Sequence, residues 1–172
     1  MQHIETVTVG SGGAASISFS AIPDTFTDLV ILVSARTTRA ETNEQIFFRL
    51  NASTTNATSR EFLGLGSAVA TISEPFIAGY VSAASATADT FGNVVTYIPN
   101  YRSSVAKSLS IDSVSENNAT QAIQSISAGL WNNTAAVTSI ELVARFGNNF
   151  VQHSTASLYG ITAGSDGIVA VS

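Results

Sequence analysis

The sequence predicts an all-β fold, a single-domain antiparallel two-sheet sandwich of about ten short strands arranged as a jelly roll. Three observations lead there. Turn signals recur roughly every ten to fifteen residues along the chain. Between them, β-branched and aromatic residues alternate with Ser and Thr. No segment sustains a helical period, and only "SVAK" and parts of "ENNATQAI" resemble one weakly. The length of 172 residues suits one domain with a filled core and is short for two.

Each element follows from its local pattern. "HIETVTV" alternates Ile4 and Val7 or Val9 with polar partners, and "GSGG" at 10–13 turns the chain. In "ASISFSAI", Ile17 and Phe19 share a face opposite Ser16, Ser18 and Ser20. Pro23 and Asp24 mark the next break. "FTDLVILVSAR", from Phe26 to Arg36, is apolar on both faces in its middle, as a central covered strand would be. "EQIFFRLNAS" supplies a strand from Ile46 to Leu50, followed by a polar loop, "NASTTNATS". "EFLGLG" and "FIAGYVSAA" each carry a glycine that suggests a bulge or a close backbone approach.

"TFGNVVTYIPNY" is a strand closed by Pro99 and Asn100. "AKSLSIDSV" sets Leu109 and Ile111 against Ser108, Ser110 and Asp112, and "SENNAT" turns. "QSISAGLW" places Ile126, Ala128 and Leu130 on one side. After a turn at Asn132, "VTSIELVARF" directs Ile140, Leu142 and Ala144 inward. "FGNNFVQHSTASLYGI" opens with a Gly-Asn-Asn turn at 147–149 and then runs as the last strand, with His153 early in it. There Ser157, Tyr159 and Ile161 share one face and Ala156, Leu158 and Gly160 the other. The sandwich is expected over residues 1–162. Residues 163–172, "AGSDGIVAVS", are expected to form a C-terminal arm or a strand added to a neighbouring subunit's sheet edge.

Composition narrows the function. Charged residues make up 11% of the chain, against roughly 25% in an average soluble domain. The polar surface must therefore come from Ser, Thr, Asn and Gln. Such a surface costs little to desolvate and suits contact with other protein subunits. The net charge is −5, Lys107 is the only lysine, and the arginines are scattered from Arg36 to Arg145. No basic patch with interleaved aromatics supports nucleic-acid binding, and the acidic balance argues against an anionic membrane. The absence of cysteine excludes disulfides, thiolate metal sites and Cys nucleophiles. "MQHIETVTVG" lacks a basic segment followed by an apolar run, so no signal peptide is expected. The longest apolar run, "LVILV", is far short of the ~18 residues of a membrane-spanning helix.

No catalytic, cofactor-binding or metal-ligating residue is assigned, and the chain is expected not to be an enzyme. His3 and His153 are the only imidazoles. "HST" puts His153 beside Ser154, but neighbours in a strand point to opposite faces, and no G-x-S-x-G elbow is present. Glu41 and Glu44 lie near Arg36, Arg39 and Arg49 in sequence. These five are the candidate partner contacts, either as a solvated loop or as an intersubunit salt-bridge strip. The sequons at Asn51, Asn56, Asn118 and Asn132 read as turn chemistry. Tyr80, Tyr97, Tyr101, Tyr159 and Trp131 either stack on a sugar or sit at sheet ends with their polar atoms wet.

One resemblance adds to this. "FGNVVTYIPNYRSSVAKSLSIDSVSENNATQAIQSISAGLWNNTAAVTSIEL", followed by "FVQHSTASLYGI", resembles small bacteriophage virion domains, cyanophage ones among them. "GSGGAASISFSAIP" and "FTDLVILVSAR" belong to the same match, which spans residues 4–161. Arg36–Glu61 and the tail after Thr162 fall outside the matching parts. The resemblance implies a β-sandwich structural protein and two virion roles. One is a capsid decoration or cement protein, a homotrimer that binds the outer surface of the major capsid protein shell and stabilises it. The other is a tail-fibre or receptor-binding domain that recognises a host-surface glycan. A compact domain without a fibrous shaft favours decoration. The expected location is the capsid surface, after synthesis in the host cytoplasm.

Overall fold

Four nested antiparallel pairings organise the chain. The structure, a computed structural model, describes residues 1–66, 68–74, 77–118 and 121–162. These form twelve strands and no helix. They are β1 (Gln2–Thr8), β2 (Ser16–Phe19), β3 (Asp28–Ala35), β4 (Asn43–Leu50), β5 (Ala57–Leu65) and β6 (Ala68–Glu74). Then come β7 (Ile77–Ser82), β8 (Gly92–Ile98), β9 (Lys107–Glu116), β10 (Ala122–Trp131), β11 (Ile140–Ala144) and β12 (Thr155–Ile161).

The pairs β1–β12, β2–β11, β3–β8 and β4–β7 nest inside one another along the chain. Rolled up, this ribbon places β1-β12-β3-β8 in one sheet and β2-β11-β4-β7 in the other. That is the strand order of an eight-stranded jelly roll, as the sequence predicts. Two hairpins are inserted into it. β5–β6 leaves between β4 and β7, and β9–β10 between β8 and β11. Both join the first sheet and extend it to eight strands, β1-β12-β3-β8-β9-β10-β5-β6, while the second keeps four.

The core lies where the two sheets overlap. Ile17, Phe19, Leu29, Ile31, Ile46, Phe48, Val94, Ile111, Ile140, Leu142 and Leu158 are all buried there. The inward and outward faces expected for β2, β9, β11 and β12 are the observed ones. Close backbone approach explains two glycines. A Cβ on Gly160 would meet the Phe26 ring at 2.2 Å, and one on Gly79 would meet Val94 at 2.9 Å. Gly79 lies on β7, the edge of the small sheet, which packs against β8, β9 and β10.

Three local expectations are corrected. β5 begins at Ala57, inside the stretch read as a polar loop, and β6 was not foreseen as a strand. β5 and β6 pair with each other through seven residues each, so hairpin closure supplies what their mixed local pattern lacks. As the sequence predicts, no described segment is helical, and "SVAK" leads into β9. His153 sits in a turn before β12, with φ of 72°, and not in the strand. The expected arm, 163–172, lies outside the described residues.

Lys107 shows how the inserted β9 is anchored. It is 1% exposed, and its Nζ donates to the carbonyls of Ser103 (2.6 Å), Val105 (2.7 Å) and Ala135 (2.7 Å). It also lies 5.8 Å from the Trp131 ring centre. Burial holds its pKa below the ordinary lysine value. Lys107→Met leaves three carbonyls without their donor and is expected to destabilise the fold by about 2–4 kcal/mol, measured by urea denaturation. In the folded wild type, amine-reactive reagents are expected to label the N-terminus and to reach Lys107 only on unfolding. Equal labelling of both in the folded state contradicts this burial.

Candidate functional site

The five charged residues singled out in the sequence do not act as one group. Arg36 is tied inward: Nη1 donates to the carbonyls of Thr87 (2.7 Å) and Thr90 (2.9 Å), Nη2 to those of Ala84 (3.1 Å) and Ala86 (3.0 Å). It gathers the loop after β7. Arg49 pairs with Glu141 across β4 and β11 at 3.1 Å. Arg39 stacks on the exposed Phe146 ring at 4.2 Å, and Arg145 approaches the same ring at 5.3 Å. Glu44 is fully buried, and its Oε1 accepts bonds from Phe146 N and Asn148 Nδ2, both 3.1 Å. Glu41 is exposed.

His153 and Ser154 diverge. His153 is exposed, and its backbone N–H bonds Val9 O at 3.0 Å. Ser154 is buried and exchanges hydrogen bonds with the backbone of Arg36. His3 bonds Thr6 and meets Tyr159 edge-on. Of the aromatics, Trp131, Tyr101 and Tyr80 are buried, which leaves Tyr97 and Tyr159 accessible. Asn51, Asn56 and Asn118 have positive φ, the backbone shape that asparagine tolerates in turns. Among the described residues no three His, Asp or Glu side chains converge as metal ligands would.

Two features emerge that the sequence reading did not isolate. The first lies under the inserted hairpin. β5 turns Glu61 inward and β6 turns Glu74 inward, both onto Gln45 of β4 and Arg145 beyond β11. Gln45 Nε2 donates to Glu61 Oε2 at 3.3 Å and reaches Glu74 Oε1 at 3.5 Å. Arg145 bonds Glu74 at 2.9 Å and also Gln45 Oε1. Glu61 Oε1 is buried and accepts no hydrogen bond among the described residues. Burial first, and the Glu74 carboxylate second, raise the Glu61 pKa from 4.5 to about 7. Tyr80 on β7 borders the cluster and is pushed up to about 12, chiefly by burial.

The second feature is the outward face of the large sheet. β10 points Ile126, Ala128 and Leu130 to solvent and Ser125, Ser127 and Gly129 inward. The grouping read from the sequence is right, but the apolar side is the outer one. Phe62 on β5 is 53% exposed and Ile126 57%. Val95 and Tyr97 on β8 and Leu32 on β3 are exposed on the same face. In the middle of the face, across β5, β10, β9, β8 and β3, the charged side chains are Arg60 and Asp112. Asp28 and Glu116 stand at its ends, and Asp28 accepts a 2.7 Å bond from Tyr97.

The face is corrugated. Ser108, Ser110 and Asp112 of β9 floor a shallow trough between the apolar ridges on β8 and β10. A depression of about 350 Å³ there is lined by Tyr97, Pro99, Ser110, Ile126 and Ala128. Another, of about 400 Å³, lies between Arg60, Phe62, Thr71, Ser73 and Ile126. Neither holds convergent titratable groups of the kind that acid–base chemistry needs.

The buried cluster predicts a pH dependence. An acid whose folded pKa is raised binds its proton more tightly when folded. Its contribution to stability is full below about 4.5 and is lost as pH rises through about 7. For Glu61 this amounts to something on the order of 3 kcal/mol between those limits. Urea denaturation is expected to show that loss, and Glu61→Gln is expected to remove it and to exceed wild-type stability at pH 8. An unchanged slope in the variant contradicts the assignment.

Compared with models of protein families, with curated proteins and with solved structures, the chain matches none of them.

Proposed function

We propose that this protein is a structural component of a bacteriophage virion: a capsid decoration protein that binds the outer surface of the major capsid shell as a homo-oligomer and stabilises it. The observation that carries the homo-oligomer, and through it the assembly role, is the outer face of the eight-stranded sheet. Large apolar side chains stand exposed on β3, β8, β10 and β5, on both sides of the hydroxyl-lined trough of β9, with Arg60 and Asp112 as the central charges. A monomer in free solution has little use for such a face, since contiguous exposed apolar surface marks an interaction site. Ser, Thr and Ala around it are cheap to desolvate, so binding needs few compensating ion pairs. The resemblance to phage virion domains supplies the setting. Cementing then works by multivalency: modest contacts repeated around an oligomer add up to durable attachment.

A tail-fibre or receptor-binding role is the second reading. It is favoured by Phe62 and Tyr97, exposed aromatics beside hydroxyl-lined depressions, the chemistry on which sugars stack.

Immunogold imaging of virions with antibody to the purified chain separates the two. Label over the capsid shell is the expected result. Label confined to the tail supports the fibre reading, and particles free of the chain overturn both.

A further inference from the structure

We propose, resting on the assembly role above, that the outer face of the large sheet is covered by the same face of a second copy of this chain, around a two-fold axis running along the strands between β9 and β10. The register supports it. Arg60, Ala128, Ser110 and Tyr97 lie in one row across β5, β10, β9 and β8. Phe62, Ile126, Asp112 and Val95 form the next row. The axis lays β10 of each copy over the partner's β9, and β5 over its β8. The apolar ridge of β10 then enters the trough of β9. Phe62 meets Val95, Ala128 meets Ser110, and Ile126 lies over Asp112. Arg60 lies over the Tyr97 ring, one diagonal step from Asp112. Sheets stacked face to face sit ~10 Å apart, a gap that an arginine side chain crosses.

Two quantities favour this occupant. The first is charge. Arg60 on β5 and Asp112 on β9 stand on opposite sides of the axis, so each Arg60 comes one strand and one row from the partner's Asp112, an attraction made twice, the self-complementarity that an isologous contact requires. The second is area. β3, β8, β9, β10, β5 and β6 form an unbroken run, three strands on each side of the axis. At about 4.8 Å per strand and roughly 25 Å of length they give ~720 Å² in plan, and side-chain relief raises this toward the ~800 Å² per partner of a standard interface.

Sedimentation equilibrium of the full chain tests it. The wild type is expected to form dimers at tens of micromolar, a range typical of a modest interface. Arg60→Asp and Asp112→Arg are each expected to weaken the dimer about tenfold, and the double swap to restore it. Ile126→Glu, at an exposed position, is expected to abolish the dimer with an unchanged circular dichroism spectrum and melting temperature. A monomer at ~200 μM, where any stable interface would be populated, overturns the proposal. So does a trimer, or a dimer indifferent to these changes. The assembly role fails separately: dimers that respond as expected but are missing from virions remove the virion role and keep the surface. Virions decorated by a monomeric chain do the reverse.

Discussion

The structure turns on a mismatch of area: a sheet of four strands cannot cover a sheet of eight. A β-sheet is stable when its apolar side is packed against another layer. The four jelly-roll strands β2, β11, β4 and β7 provide that layer for β1, β12, β3 and β8, and there the interior is aliphatic and aromatic. β7 lies over β8, β9 and β10, and beyond it the large sheet continues through β5 and β6 without a facing strand of their own. The inward residues change accordingly. Ser113, Ser115, Ser125 and Ser127 are small enough for the edge strand β7 to lie close, and Ser113 accepts a bond from Tyr80 N at 3.0 Å. The overhang is held by a second, smaller apolar cluster around Leu63, Tyr80 and Ile123.

The same mismatch explains the charges buried beneath the hairpin. Where no aliphatic layer closes the interior, Glu61 and Glu74 meet Gln45 and Arg145 instead. A buried ionic group is a weak source of stability, because desolvation offsets the attraction. One arginine faces two carboxylates, and Glu61 Oε1 accepts no hydrogen bond among the described residues. Keeping a proton on Glu61 is the cheapest way to satisfy that balance. The β5–β6 hairpin is therefore held by its pairing with β10 and by the small apolar cluster of Leu63, Tyr80 and Ile123, and the polar contact adds little.

On its other side the same hairpin contributes Arg60 and Phe62 to the outer face. The two insertions thus add to the jelly roll a broad, lightly charged surface that the eight core strands alone would not have. A chain with 11% charged residues has little capacity for a charged solvent shell everywhere. Several of its charges are committed to contacts within the molecule: Arg36 to carbonyls of the loop after β7, Lys107 to three carbonyls, and Arg49 to Glu141. What remains outside β9, β10 and β5 is mostly hydroxyls and hydrocarbon, with Arg60, Asp112 and Glu116 as its charges.

The sequence by itself determined the all-β class, the single sandwich and the sorting of residues into two faces along most strands. Leu109 and Ile111 against Ser108 and Ser110, or Ala156 and Leu158 against Ser157 and Tyr159, follow from a side-chain period of two. It did not show which face was covered. In β10 the sequence sets Ile126, Ala128 and Leu130 on one side without saying which way it faces, and that side is the outer one. In β5 Phe62 points out while Glu61 points in. β6 escaped notice because it is defined by its pairing with β5 and not by a pattern of its own. Arg36, Arg49 and Glu44, neighbours of Glu41 and Arg39 in sequence, part company because strand alternation and chain reversal send each to a different partner. Alternation is a local property of the backbone and is written in every strand. Coverage depends on which distant strand arrives opposite, and that was decided only when the nested pairs closed and left the second sheet four strands wide.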